Sequence, residues 1–218
     1  VANALHQAGL GGKVIVTQPR RVAARAAARR LAQLDGSAVG QRVGFAVRGE
    51  HRASAQTRVE FVTAGLMLRR LLADPDLDGA SAVIIDEVHE RSIDTDLLLA
   101  MVNQVSELRD DFSLIVMSAT LHASELSELM ARDTAAPVLS AQSAQFEVEE
   151  AFDSFAGIRN AERGLNDDYL RHVASVAVRH AAEANAASGT PVDTLVFVPG
   201  VREVERVCSQ IAAAGVPA

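Results

Sequence analysis

The chain has one cysteine, Cys208, so it can form no internal disulfide and no cysteine metal cluster, and a reducing, cytoplasmic setting is expected. No run of about 18 uninterrupted apolar residues occurs, so no membrane-spanning helix and no membrane partner are expected. The first residues, VANALHQAGLGGK, lack a basic leader and a cleavage signature, so no secretory signal is read there. No internal repeat or low-complexity tract stands out beyond mild alanine enrichment. A phosphate-binding loop of the form GxxxxGK[ST] is also missing. The one Gly-Lys pair, Gly12-Lys13, is followed by Val14 and precedes a strand, so it reads as a turn. Lysine itself is almost absent: of 21 basic residues only Lys13 is lysine, which reflects base composition and carries no functional information.

What is present is an ordinary globular profile, with 49% hydrophobic and 22% charged residues over 218 positions, enough to build a core. The charge is unevenly spread. Residues 1–72 carry twelve Lys/Arg against three Asp/Glu, a balance of +9, and residues 73–218 carry nine against twenty-five, a balance of −16, which together give −7. An arginine-dense first third can attract a polyanion locally, although arginines on a solvated helix face account for the same numbers. Arg25, Arg29 and Arg30 are read as such a face.

Short apolar runs at 14–17, 43–48, 58–63, 82–86, 113–118 and 136–140 predict strands. Between them, helices are predicted at 19–34, 64–73, 94–108 and 122–131. Near-continuously apolar strands alternating with helices indicate a parallel sheet covered on both faces, so the class is α/β. A further strand is predicted at 145–150, a long helix at 165–187 and a new strand–turn–helix unit from 193–200 onward, with a domain boundary between about 150 and 190.

The richest segment is AVIIDEVHERS at 82–92. Asp86 and Glu87 stand where an apolar strand runs out, the edge at which parallel sheets place ligands. An acidic residue there can help hold Mg²⁺ on a nucleotide's phosphates, and a carboxylate beside it can deprotonate the attacking water. Two solvated carboxylates at a loop start would look the same. His89 does not complete a zinc HExxH, because position 93 is Ile.

DEVHERSIDTDLLL at 86–99 resembles motif II of the DEAH-box RNA helicases of superfamily 2, with Val88 where the family usually has Ala. TQPRRVAARAAARRLA at 17–32 resembles motif Ia, and VGFAVRGE at 43–50 with TRVEFVTAGLMLRRL at 57–71 resembles the following strand pair, with motif Ib at Thr63-Ala64-Gly65. MSATL at 117–121 is similar to motif III, and LVFVPGVREVERV at 195–207 to the start of a second RecA-like domain. The PGVRE wording and the Ala-rich motif Ia lean toward the bacterial HrpB-type branch.

The resemblance implies a RecA-like P-loop NTPase fold: a first domain over 1–150 without its first strand and phosphate loop, a linker and helix over 151–190, and the start of a second domain over 191–218. Residues 1–8 resemble the end of the helix after that loop. It implies a hydrolase that uses ATP and Mg²⁺ to unwind or remodel RNA in an intact parent, with the given chain inactive and fragile because the phosphate cradle, motifs V and VI and a sheet strand are missing. Asp86 would bind Mg²⁺ through water, Glu87 would activate the hydrolytic water, and both would contact the nucleotide. His89 would link the ATP site to the second domain, and Ser118, Ala119 and Thr120 would couple hydrolysis to domain movement. Arg20, Arg21, Thr63 and Gly65 would meet the RNA backbone, a sequence-independent contact that suits single-stranded RNA and leaves DNA open. Thr63 and Gly65 read equally well as a helix cap and a packing glycine. The alternative function is a RecA-like module that binds RNA or protein without catalysis.

Overall fold

The computed structural model describes residues 11–119, 123–131, 134–141, 147–162 and 164–216. The segment 1–8, read as a helix end, and Thr120 of the motif III resemblance lie outside them. The chain divides into two compact units, Val1–Gln142 and Ser143–Ala218.

Among the described residues the first unit is an α/β sheet of six strands in the order β3-β2-β4-β1-β5-β6. The strands are β1 (Lys13–Gln18), β2 (Val43–Val47), β3 (Glu50–Arg52), β4 (Val59–Thr63), β5 (Ala80–Ile85) and β6 (Ser113–Val116). All neighbours run parallel except β3, a three-residue edge strand that turns back on β2. Between the strands lie α1 (Arg21–Asp35), α2 (Ala64–Ala73) and α3 (Ile93–Leu108), and α4 (Ala123–Leu129) follows β6.

β5 shows why the sheet is two-sided. Every residue from Ala80 to Ile85 is buried, and alternate side chains point to opposite faces. Ala82 and Ile84 join the cluster under α1, while Val83 and Ile85 join the one under α2 and α3. Full burial of an aliphatic side chain of this size contributes about 1.5–3 kcal/mol, so a strand with no polar alternation is stable only when both faces are covered. The helices are bounded by local chemistry. α1 ends at Gly36 in the left-handed region (φ 71°), and the Ser92 hydroxyl accepts the Thr95 amide at the start of α3.

Two features of the first unit were not visible in the sequence. Gly12 is a bend pressed on the start of β5: a Cβ built there would lie 2.8 Å from Gly79 O and from Ser81 N. Both atoms are backbone and cannot swing away. Gly12→Ala is expected to cost about 1–3 kcal/mol through overpacking, read as a lower urea midpoint at an unchanged slope. The second is a carboxylate inside the sheet. Glu60 is 1% exposed and accepts from Arg70 Nη1 and Nη2 at 3.1 and 2.7 Å and from Lys13 Nζ at 3.1 Å. His51 Nε2 is 3.7 Å away. Burial pushes the Glu60 carboxyl up, but the hydrogen bonds and charges of Arg70, then Lys13, outweigh it and hold the group below the usual glutamate range.

The second unit packs α5 (Asp167–Ser188) against α6 (Val201–Ala213) through Leu170, Ala174 and Val207, with Val196 and Val198 beside them. A two-residue hairpin, β7 (Asn160–Ala161) with β8 (Gly164–Leu165), precedes α5. The helix that the sequence placed in the connecting stretch is thus packed on its neighbour α6.

Three predicted strands need correction. Residues 136–140 are irregular, with Leu139 97% exposed, and 147–150 form no strand, the rest of that prediction lying outside the described residues. Residues 193–200 alternate as a strand should, Val196 and Val198 inward and Leu195 and Phe197 outward, yet no partner strand pairs with them among the described residues. An apolar run specifies extension; only a neighbour's backbone makes it a strand.

Candidate functional site

The carboxyl ends of β1, β4 and β5 lie side by side: Gln18 is level with Thr63, and Thr17 with both Val62 and Ile85. This row brings the residues of three separate sequence motifs to one edge. As β5 ends, the Asp86 amide continues the ladder to Thr17 O at 3.3 Å. The chain then turns sharply, because Glu87 (φ 57°) and Arg91 (φ 49°) are both left-handed and flank a single 3₁₀ turn, Val88–Glu90. Non-glycine residues pay roughly 1–2 kcal/mol for that conformation, and the surroundings hold it. Val88 is buried and its amide donates to Met117 O at 3.3 Å, just beyond β6.

Within this turn the polar atoms are fixed. The Asp86 carboxylate accepts on one oxygen from Gln18 Nε2 at 2.6 Å and on the other from the Glu87 amide at 2.9 Å. His89 Nδ1 accepts the Ala119 amide at 3.3 Å. A neutral imidazole that accepts at Nδ1 carries its proton on Nε2, and Nε2 faces Glu87 Oε2 at 3.3 Å. His89 therefore spans from the acidic turn to the segment after β6 and orients Glu87. Ser118 and Ala119 lie at that segment. A cavity of about 770 Å³ opens between α3 and α4, with His89 and Ser118 among its lining residues.

The basic residues are at the same edge. Arg20 is the extended residue before α1 and Arg21 the first residue within it, and both are exposed. Arg20 Nη2 lies 3.6 Å from Glu90 Oε1, so the acidic turn is touched at Asp86 by Gln18 at the end of β1 and at Glu90 by Arg20 in the loop that follows. Thr63 occupies the cap position of α2 but its side chain makes no capping hydrogen bond. Gly65 packs against α3: a Cβ there would come within 3.0 Å of Asp94 Oδ2. Arg29 and Arg30 are exposed as expected. Arg25 is half-exposed, and its Nε lies 3.1 Å from Glu50 Oε2 across α1 and β3. Gln18 was not singled out in the sequence, since a lone amide carries no catalytic signature; its position at the end of a strand beside the acidic one was the available clue.

Among the described residues no group of three or more His, Cys, Asp or Glu side chains could hold a metal by itself, and no helix is long and apolar enough to cross a membrane. No family model matches the chain. A curated relative, the ATP-dependent RNA helicase HrpB of Escherichia coli (strain K12), is 38% identical over 205 residues, 94% of this chain. The crystal structure of the E. coli DEAH/RHA helicase HrpB superposes with a TM-score of 0.75 at 34% identity over 96% of this chain. The chain is related to the DEAH-type RNA helicases. A more distant relation, the probable ATP-dependent RNA helicase DHR2 of Saccharomyces cerevisiae, is 34% identical over 89% of the chain. The chain spans about a quarter of the length of these relatives, 23% and 24% of the two curated proteins and 25% of the crystallised one. The mostly parallel, helix-flanked sheet is that of the DEAH-type structure.

Proposed function

We propose that this chain works within a longer polypeptide as part of an ATP-dependent RNA helicase, supplying the metal-and-water side of the nucleotide site and part of the RNA-binding face. The observation that carries this reading is the acidic turn: a carboxylate pinned through both oxygens at the end of a parallel strand, with Arg20 from the neighbouring strand's loop against Glu90 of the same turn. Magnesium keeps several waters and takes one or two carboxylates plus substrate phosphates, and Asp86 with Glu87 adjacent is a donor set of that kind. When bound, the ion neutralises charge on the phosphates of ATP. Asp86 would hold it, through water. Glu87 accepts the proton of the attacking water, and His89 keeps the Glu87 carboxylate oriented. His89 also joins this turn to Ala119, and in this reading Ser118, Ala119 and Thr120 couple hydrolysis to domain movement while His89 links the ATP site to a second RecA-like domain. Arg20, Arg21 and Thr63 contact RNA phosphates, and Gly65 serves by letting α2 and α3 approach. A cytoplasmic setting belongs to this reading, in keeping with the single cysteine.

The test is ATP hydrolysis by the intact parent protein with and without single-stranded RNA. Turnover that rises on adding RNA is the expected result. RNA binding with no turnover in either condition would replace this reading with that of a non-catalytic binding module, and equal stimulation by single-stranded DNA would widen the substrate class.

A further inference from the structure

We infer that Gln18 is the positioning residue for the Asp86 carboxylate, setting its affinity for the nucleotide-bound metal. The inference rests on the proposed nucleotide site and adds a residue to it. An ionised carboxylate only accepts hydrogen bonds, so the half-buried amide of Gln18 presents its nitrogen to Asp86 Oδ2, and the 2.6 Å separation makes it the shortest contact of the turn. The Glu87 amide already occupies Oδ1. With a donor on each oxygen, rotation of the carboxylate about its Cβ–Cγ bond breaks one bond or both. Asp86 comes from the end of β5 and Gln18 from the end of β1, adjacent strands of one sheet, so the orienting group is anchored as rigidly as the oriented one. Each carboxylate oxygen retains a lone pair for a metal-bound water. Groups that orient a metal-binding carboxylate in this way change metal affinity by about 10–100-fold when removed.

Reach matters as well as polarity. Asparagine is one methylene shorter and leaves its amide out of range, whereas methionine preserves length without a donor. Gln18→Met and Gln18→Asn therefore remove the same bond with different packing, and either gives a reading if the other perturbs the fold.

The experiment titrates Mg²⁺ into the intact parent protein, wild type and each variant, with a fluorescent ADP as the binding probe, beside the same measurement in EDTA. The expected result is a half-saturating Mg²⁺ concentration raised about 10–100-fold in both variants, with ADP affinity in EDTA and affinity for single-stranded RNA unchanged. A wild-type Mg²⁺ dependence in the variants would overturn the inference. So would an equal loss of ADP affinity with and without Mg²⁺, which marks a structural role. Absence of any Mg²⁺-dependent ADP binding in the wild type would overturn the proposed nucleotide site and this inference together.

Discussion

Glu87→Gln is expected to slow RNA-stimulated ATP turnover of the intact protein by about 10²–10⁴-fold, the contribution of a well-placed general base, while ATP and RNA binding persist. The substitution keeps the side chain's length and its contact with His89 but removes the lone-pair basicity that takes the proton from water. It also preserves the left-handed backbone at 87, since glutamine replaces glutamate without a change at Cβ. The decisive readout is the separation of kcat from binding. A fall in kcat with nucleotide affinity intact assigns Glu87 to the chemical step. An equal fall in ATP affinity would assign it to metal or nucleotide binding, and unchanged turnover would remove it from the site.

Glu60→Ala is expected to destabilise the fold by about 3 kcal/mol, the lower end of the 3–5 kcal/mol range for breaking a buried ion pair. The lower end applies because the cations left behind, Lys13 and Arg70, keep 34% and 30% of their side-chain exposure and can turn toward water. Arg70→Met is expected to cost more than Lys13→Met, since Arg70 supplies two of the three hydrogen bonds. Replacing all three residues with apolar ones of similar size is expected to restore most of the loss, because no charge is then left unpaired. The pH dependence has a definite sign. Glu60 titrates lower in the folded chain than in the unfolded one, so its stabilisation is complete above the unfolded value of about 4.3 and disappears as pH falls through the folded value. Urea midpoints of wild type and Glu60→Gln, measured from neutral pH downward, are expected to draw together only once pH falls below the unfolded glutamate value and through the lower folded one. A constant gap at every pH would show that the charge is not the stabilising element.

Both residues bear on what could be read in advance. Glu87 could be singled out in advance because an apolar run followed by adjacent carboxylates marks a strand end, and the resemblance of DEVHERSIDTDLLL to motif II implied a role for it. Glu60 was not, because its partners lie 10 and 47 positions away and a glutamate inside RVEFVT looks like one polar residue of an ordinary strand. The sheet was legible for the same local reason. β1, β2, β4, β5 and β6 were each marked by their own apolar residues, and α2 was predicted to the residue. β3 escaped, since Glu50-His51-Arg52 has no apolar content to mark it and is registered on β2 by the backbone ladder after the turn at Gly49. Runs at 136–140 and 193–200 failed in the opposite direction, having the composition of strands but no partner strand among the described residues. At the site, the acids, His89 and the arginines were singled out by the motif resemblance, but Gln18 and the span from His89 to Ala119 are properties of the assembled edge.

The fully buried contacts of α1 with the sheet are made by Ala24, Ala28 and Ala32. A methyl group has no rotamers, so it can neither compress nor rearrange to take up slack. The spacing between this helix and the strands beneath is therefore a fixed thickness, like a gauge block, and the arginines at its leading end stand at a height that backbone geometry sets. Enlarging any one alanine would tilt the whole rod. The displacement would be felt most at its tip, where Arg20 and Arg21 face solvent.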